Sequence, residues 1–336
     1  MCSSDLRLRN PRREPRDTQN LVAAYSRALV AQARKTPTLM ALDADLIKDC
    51  GLLEFQAEFP DRFVECGIAE QDMVSMAAGM ARRGVVPAVH SFACFLSTRP
   101  NEQIYNQCSE DTKVLYVGSL AGLLPGGPGH SHQSVRDISA LAAVPNLVLA
   151  EPATEREVEL LVEALLHGQP ESGYLRLVSV KWPVPFPAPS ADSLEVGKGW
   201  VVRPGTDVVV FGYGPWLLSN AWHAAEELAS TSQLQIGLVN LPWLNRVDTE
   251  WLRSAIGSAR TVVALDNHYV SGGQGQMIGA AIAGLGLDPA VEVIQHGVDR
   301  LPECGTNDEV LHAHGLGVPG LTRVFAGAAS RRAVRQ

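Results

Sequence analysis

The sequence predicts an α/β protein made of two doubly wound domains with mostly parallel sheets. Three observations predict it. Short, continuously apolar runs such as 147–150 and 208–212 alternate with longer segments at helical spacing, the pattern of strands covered on both faces. The alternation runs twice, interrupted by Pro183-Val-Pro-Phe-Pro-Ala-Pro-Ser190, which carries neither period and reads as an extended linker. A length of 336 residues, 46% hydrophobic and 19% charged, suits two globular domains with sizeable cores.

Taken in order, apolar residues Leu21, Val22, Tyr25, Leu29, Val30 and Ala33 recur at helical spacing over 20–34. A buried strand over 38–43 leads into the acidic turn Asp43-Ala-Asp45, and a second strand over 62–66 precedes an apolar helix over 73–82. Further strands are predicted at 85–89, 114–117, 147–150 and 174–178, with helices at 101–108, 137–142 and 155–167 between them. Beyond the linker come strands at 208–212, 235–240, 261–265 and 291–295 and helices at 221–229, 250–256 and 277–283. The expected organisation is a flexible basic arm over 1–17, a first domain over 18–182, the linker over 183–197, a second domain over 198–328 and a short tail over 329–336.

Composition narrows the function classes. A net charge of −8 and the lack of a basic stripe interleaved with aromatics argue against nucleic acid as the main partner. No stretch has the uninterrupted apolar length that spans a bilayer, and the N-terminal residues show no apolar targeting core. The six cysteines show neither CxxC pairing nor metal-ligand spacing, so they read as reduced thiols. The expectation is a cytoplasmic protein without a membrane or nucleic-acid partner and with no metal ligands of its own.

Four stretches carry candidate chemistry. In Glu65-Cys-Gly-Ile-Ala-Glu-Gln-Asp-Met73, Glu70 stands at a strand-to-helix junction, as a helix-terminal acid or as a ligand contact at the carboxyl edge of a parallel sheet. Ser91-Phe-Ala-Cys-Phe95 places two rings three apart, suited to stacking a planar heterocycle or to core packing. Gly126-Gly-Pro-Gly-His-Ser-His-Gln133 combines close backbone approach with His130 and His132, which exchange protons near neutral pH; an ordinary surface loop remains the other reading. Ser271-Gly-Gly-Gln-Gly275 fits neither phosphate-loop spacing and reads as a tight turn opening a helix.

In this order the pieces resemble the C-terminal half of a transketolase-type thiamine diphosphate enzyme, its pyrimidine-binding domain followed by its C-terminal domain. Gly67-Ile-Ala-Glu-Gln-Asp-Met73 is similar to the family's Gly-Ile-(Arg/Ala)-Glu-(His/Gln)-x-Met motif, found also in deoxyxylulose phosphate synthases. Ser91-Phe-Ala-Cys-Phe95 resembles Thr-Phe-x-x-Phe, and Ser131-His-Gln133 resembles Thr-His-Gln. The likeness continues through Val239-Asn-Leu-Pro-Trp-Leu-Asn-Arg-Val-Asp248 to Gly297-Val-Asp-Arg-Leu-Pro-Glu-Cys-Gly305, covering 18–325. The family's pyrophosphate-binding half, with its Gly-Asp-Gly…Asn magnesium motif, has no counterpart here. The resemblance therefore implies one subunit of a split transketolase in an α2β2 heterotetramer, with Mg2+ held by the partner subunit and the second domain mainly supporting dimerisation.

For the site, the resemblance implies that Glu70 hydrogen-bonds N1′ of the aminopyrimidine and, in a low-dielectric pocket, favours its imino tautomer. The imino nitrogen then removes the thiazolium C2 proton, and the resulting ylide attacks a ketose carbonyl, so that a two-carbon ketol unit passes to an aldehyde. Phe92 and Phe95 would pack against the pyrimidine, with Asp45 and Ile68 near the cofactor. His132, His130, Gln133 and Arg99 would face substrate. Departures from the family pattern also stand out: a substrate histidine falls on Leu120, a sugar-reading aspartate on Pro128, a phosphate-binding arginine near Ser179 and a phosphate-binding serine on Asp49. Leucine cannot hydrogen-bond a sugar and an acid repels phosphate, so altered recognition toward an unphosphorylated or less hydroxylated substrate is expected, with Arg99, Arg136 and Arg176 left as anion contacts. Two other readings are a β subunit of a 2-oxo acid dehydrogenase, suggested by Gly129-His-Ser-His-Gln-Ser134, and a non-catalytic scaffold subunit.

Overall fold

The computed structural model describes residues 18–190 and 194–334; the basic arm over 1–17 lies outside them. The first sheet contains β2 (Leu39–Asp43), β3 (Phe63–Glu65), β4 (Val86–Phe92), β5 (Leu115–Ser119), β6 (Leu147–Ala150) and β7 (Ser172–Arg176), after a short β1 (Thr18–Gln19). Their spatial order is β3-β2-β4-β5-β7-β6, and every pairing is parallel. Continuous burial of β5, β6 and β7 reflects helices on both faces: Leu21–Lys35 and Glu155–Glu163 on one side, Glu70–Ala81 and Asn101–Cys108 on the other. The chain moves outward from β2 to β3, then crosses back to place β4 on the other side of β2. That reversal opens a crevice at the carboxyl ends of the strands, the usual ligand position in such sheets.

The linker residues that are described are held in place rather than free. Trp182–Pro183 forms β8, antiparallel to β1, and Val184 and Phe186 are buried with Leu218. The second sheet has β9 (Trp200–Arg203), β10 (Val208–Gly212), β11 (Ile236–Asn240), β12 (Thr261–Tyr269) and β13 (Glu292–Val298) in the order β13-β12-β10-β11-β9. All pairings are parallel except β9 on β11. The sequence reading lacks β9 because four half-exposed edge residues between glycines carry no burial period. The last helix runs Val318–Val334, through most of the expected tail, with Leu321, Phe325 and Ala328 buried.

The two domains share a buried boundary. Segment 242–245 lies against the edge strand β6: Glu151 N–H donates to Pro242 O (2.9 Å), Leu244 N–H to Leu149 O (2.8 Å) and Leu149 N–H to Asn245 Oδ1 (3.0 Å). These bonds satisfy an edge that would otherwise offer unpaired backbone groups. Beside them Arg176, at 0% exposure, binds Asp137 through Nε (2.8 Å) and Nη2 (3.1 Å), Ser134 O through Nη2 (2.6 Å), and Glu151 and Asn267 through Nη1. Arg176 is thus a structural cation at the domain boundary, not the substrate anion contact expected from sequence. Burial by itself would raise the Asp137 carboxyl, but the guanidinium overrides it and holds Asp137 below its ordinary value. Glu151 shares that single cation, and burial pushes it up to about 7. No helix among the described residues is long and apolar enough to cross a membrane.

Candidate active site

The site is assembled from the carboxyl ends of β2, β3, β4 and β5. Glu70 is the first residue of its helix rather than lying before it, so the carboxyl sits at a terminus with unpaired backbone N–H groups. Gly67, at φ 68°, gives the sharp turn out of β3 that a β-carbon would resist. Glu70 is only 3% exposed. Its Oε1 accepts from Ser91 Oγ (3.1 Å) at the end of β4 and from Arg99 Nη1 (2.6 Å), while Oε2 has no partner among the described residues. A buried carboxyl with one oxygen fixed and the other open is arranged to meet a donor from outside the chain.

Aromatic residues adjoin the acid through the same arginine. Arg99 Cζ lies 3.8 Å from the Phe95 ring centroid while its Nη1 binds Glu70. Phe95 and Phe92 are 5.9 Å apart, and the His132 ring meets both edge-on at 5.3 and 6.1 Å. Phe92 ends β4 and Phe95 falls in the short helix Ala93–Leu96, so both rings remain half-buried at the rim instead of filling the core. Arg99 therefore links acid and rings through Nη1 and its ring contact, while its side chain stays partly exposed.

Asp45 and Ile68 lie on a neighbouring pair of turns joined by one carboxylate: Glu65 Oε1 accepts from Asp45 N–H (3.0 Å) and Gly67 N–H (2.8 Å). Asp45 adopts φ 63°, and Ile68 is 72% exposed, a large apolar side chain presented outward beside the acid. Under these turns Asp43 Oδ2 accepts from Leu46 N–H (2.7 Å). Burial, with Glu65 nearby, pushes the Asp43 carboxyl up to about 7. Deeper in the sheet the His90 ring is neutral: Nδ1 donates to Leu42 O (2.9 Å), Nε2 accepts from Tyr25 O–H (2.6 Å), and burial lowers its pKa to about 4.

The loop over 126–133 places its histidines differently. His132 turns toward the phenylalanines, whereas His130 and Pro128 are exposed on the preceding turn. Gln133 adds a structural role to the one expected from sequence. It is 4% exposed, and its Nε2 donates to Leu123 O (2.9 Å) and Glu303 O (3.1 Å), so its amide nitrogen fastens the loop, while Oε1 has no partner among the described residues. Leu120 adopts φ 57°, unusual for a leucine, and its N–H donates to Ser179 Oγ (2.9 Å). Segment 121–122 bridges to Ser134, bringing Leu120 beside the base of the histidine loop. The contacts missed from sequence are thus those of Ser91, Glu65 and Ser179. Only Ser91 left a signal, a hydroxyl immediately before the ring pair at a strand end. Among the described residues no cluster of His, Cys, Asp and Glu is arranged to hold a metal ion.

Sheet order, a buried acid at the switch point and a rim of paired rings together form the candidate site, and comparison with known proteins gives the family. The family description "Transketolase, pyrimidine binding domain" matches residues 17–178, and "Transketolase, C-terminal domain" matches 197–321. The chain belongs to the transketolase family, a thiamine diphosphate-dependent family. Among curated proteins it is 32% identical over 305 residues to the 1-deoxy-D-xylulose-5-phosphate synthase of Thiobacillus denitrificans, covering 89% of this chain and 47% of that protein. The enzyme of the same name from Acidovorax sp. is 30% identical over 312 residues, covering 91% and 47%. The chain thus spans about half the length of the curated relatives it matches. A solved structure described as "Split gene transketolase, inactive beta4 tetramer" superposes with a TM-score of 0.79 at 27% identity, covering 91% of this chain and 97% of that one. Transketolase from Leishmania mexicana shares the fold, with a TM-score of 0.77 at 20% identity over 94% of this chain and 46% of that one.

Proposed function

We propose that this chain is the pyrimidine-binding and C-terminal subunit of a split transketolase that transfers a two-carbon ketol unit from a ketose to an aldehyde. The observation that carries the reading is Glu70: a buried acid whose Oε1 is fixed by Ser91 and Arg99 and whose Oε2 remains open. These residues fit an aminopyrimidine, since Oε2 can share a proton with its ring nitrogen while Phe92 and Phe95 cover the heterocycle. When bound, thiamine diphosphate supplies the electron sink that carbon–carbon bond cleavage requires. Glu70 then holds and returns a proton at the ring nitrogen. His132, packed against both rings, directs a ring N–H or lone pair toward a substrate oxygen, and Asp45 and Ile68 line the approach.

The partner in this reading is a pyrophosphate-binding subunit that contributes the Mg2+ ligands, in an α2β2 assembly. Support for a separate partner subunit comes from the split-gene neighbour, matched over 97% of its own length, and from outward-facing Ile68 beside Glu70; the α2β2 count is carried over from the resemblance. By the resemblance read from sequence, Leu120, Pro128, Asp49 and a position near Ser179 fall where the family contacts sugar hydroxyls and phosphate, and Ser179 holds the Leu120 backbone. We therefore assign an unphosphorylated or less hydroxylated substrate. Steady-state rates of the reconstituted pair with phosphorylated and unphosphorylated ketoses test this, and a strong preference for xylulose 5-phosphate would contradict it.

The names of the curated relatives favour a second reading. A 1-deoxy ketose product requires a methyl-bearing two-carbon unit, which a 2-oxo acid provides on losing carbon dioxide. Carbon dioxide release from a 2-oxo acid by the reconstituted pair, without ketol transfer from a ketose, would select this reading over the first.

A further inference from the structure

The histidine loop is fastened from the second domain as well as from its own. Four hydrogen bonds cross between 126–133 and the turn at 303–307. Gly126 N–H donates to Asn307 Oδ1 (3.1 Å), Gly305 N–H to Gly126 O (3.4 Å), Cys304 Sγ–H to Gly127 O (3.3 Å) and Gln133 Nε2 to Glu303 O (3.1 Å). The approach is close enough that a β-carbon on Gly126 would stand 2.5 Å from Val310 Cγ2 and 2.9 Å from Gly305 O.

The turn itself is rigidly built. Thr306 and Glu309 form a reciprocal capping box at the start of helix Asn307–Ala313. Glu303 N–H donates to Nε2 of the buried His314 (3.1 Å). The first domain grips the other end of the loop, through Gln133 on Leu123 O and the bridge of 121–122 to Ser134. Between these anchors His132 is carried against Phe92 and Phe95. A loop fixed at one end by the second domain and at the other by both holds its side chain only as well as its weaker anchor.

We propose that the 303–307 turn of the C-terminal domain positions the 126–133 loop for substrate, with Asn307 as the positioning residue. The domain then contributes to substrate affinity, a role beyond the support of dimerisation. This rests on the assignment of His132 to substrate made above, but its structural part can be read separately. Asn307→Ala removes the acceptor of the Gly126 N–H, whereas Asn307→Asp keeps an oxygen in the same place.

Two measurements test the proposal. In the full chain, amide exchange across 126–133 accelerates about three- to tenfold in Asn307→Ala, the effect of one hydrogen bond, returns toward the parent rate in Asn307→Asp, and stays unchanged in β10 and β11. In the reconstituted pair, KM for the substrate rises by a similar factor in Asn307→Ala, while kcat and thiamine diphosphate affinity hold within twofold. Gly126→Ala, which pushes the loop off the turn from the other side, raises KM in the same way. Unchanged exchange in Asn307→Ala, or equal loss of kcat in the alanine and aspartate variants with KM constant, would overturn the proposal. If the pair turns over no ketose, the functional reading fails, and loop exchange still decides whether the turn positions the loop.

Discussion

Arg176→Met is the substitution whose consequence follows most directly from the structure. The guanidinium is fully buried and pairs with both Asp137 and Glu151, each also at 0% exposure, while binding Ser134 O and Asn267. Methionine fills most of the volume but leaves two carboxylates without a cation. Removing one partner of a buried pair costs about 3–5 kcal/mol, far above the net gain of an exposed pair. At ~2–4 °C per kcal/mol for a domain the size of the first one, the melting midpoint should fall by roughly 6–20 °C. The deficit should also depend on pH. In the parent, Asp137 lies below its ordinary value, so its contribution is present above the unfolded carboxylate pKa and lost as pH falls through the folded value. In the variant both acids hold protons more tightly folded than unfolded, so stability falls as pH rises, and the gap from the parent is wider at pH 8 than at pH 5. Calorimetric scans at the two pH values measure this. A midpoint change under 2 °C, or a gap widest at pH 5, would refute the reasoning.

Three further outcomes follow. Asp43, at about 7 when folded, keeps its proton through a window where the unfolded chain has lost it, so its contribution to stability falls as pH rises from about 4 to 7. Asp43→Asn retains an acceptor for Leu46 N–H and should lose less stability than the parent between pH 5 and 8; parallel losses would remove the titration from Asp43. Ser179→Ala leaves the Leu120 N–H without its acceptor at a left-handed backbone position, and equilibrium unfolding should show a cost of about 1–2 kcal/mol. Phe95→Ala should weaken thiamine diphosphate binding to the reconstituted pair by about three- to tenfold, the worth of one stacked ring, with calorimetry as the readout and unchanged affinity as the contrary result.

What was legible in the sequence is uneven for physical reasons. Glu70, Phe92, Phe95 and His132 stand in short local motifs, and the structure brings all four into one cluster joined by Arg99. The buried parallel strands were legible because covering both faces makes them continuously apolar. β9 was not, because an edge strand of four residues needs neither an apolar run nor alternation. The partners of Arg99, Arg176 and Gln133 were not legible for one shared reason: a polar side chain looks free until its partner is placed. Those partners lie 29 residues away for Arg99 on Glu70, 91 for Arg176 on Asn267 and 170 for Gln133 on Glu303. Sequence spacing carries no information about contacts made only by folding two domains together. For the same reason Asn307, 181 residues from Gly126, left no local signal.

The central claim is that Glu70 serves a cofactor shared with a second subunit. Thiamine diphosphate-dependent ketol transfer, measured for this chain alone and for its reconstituted pair with a pyrophosphate-binding subunit, tests it most directly when Glu70→Gln is run beside the parent. The account predicts no turnover by the chain alone, turnover by the pair, and a loss of about 10²-fold or more in the Gln variant with assembly intact. Unchanged turnover in Glu70→Gln, or full activity of the chain by itself, would contradict it.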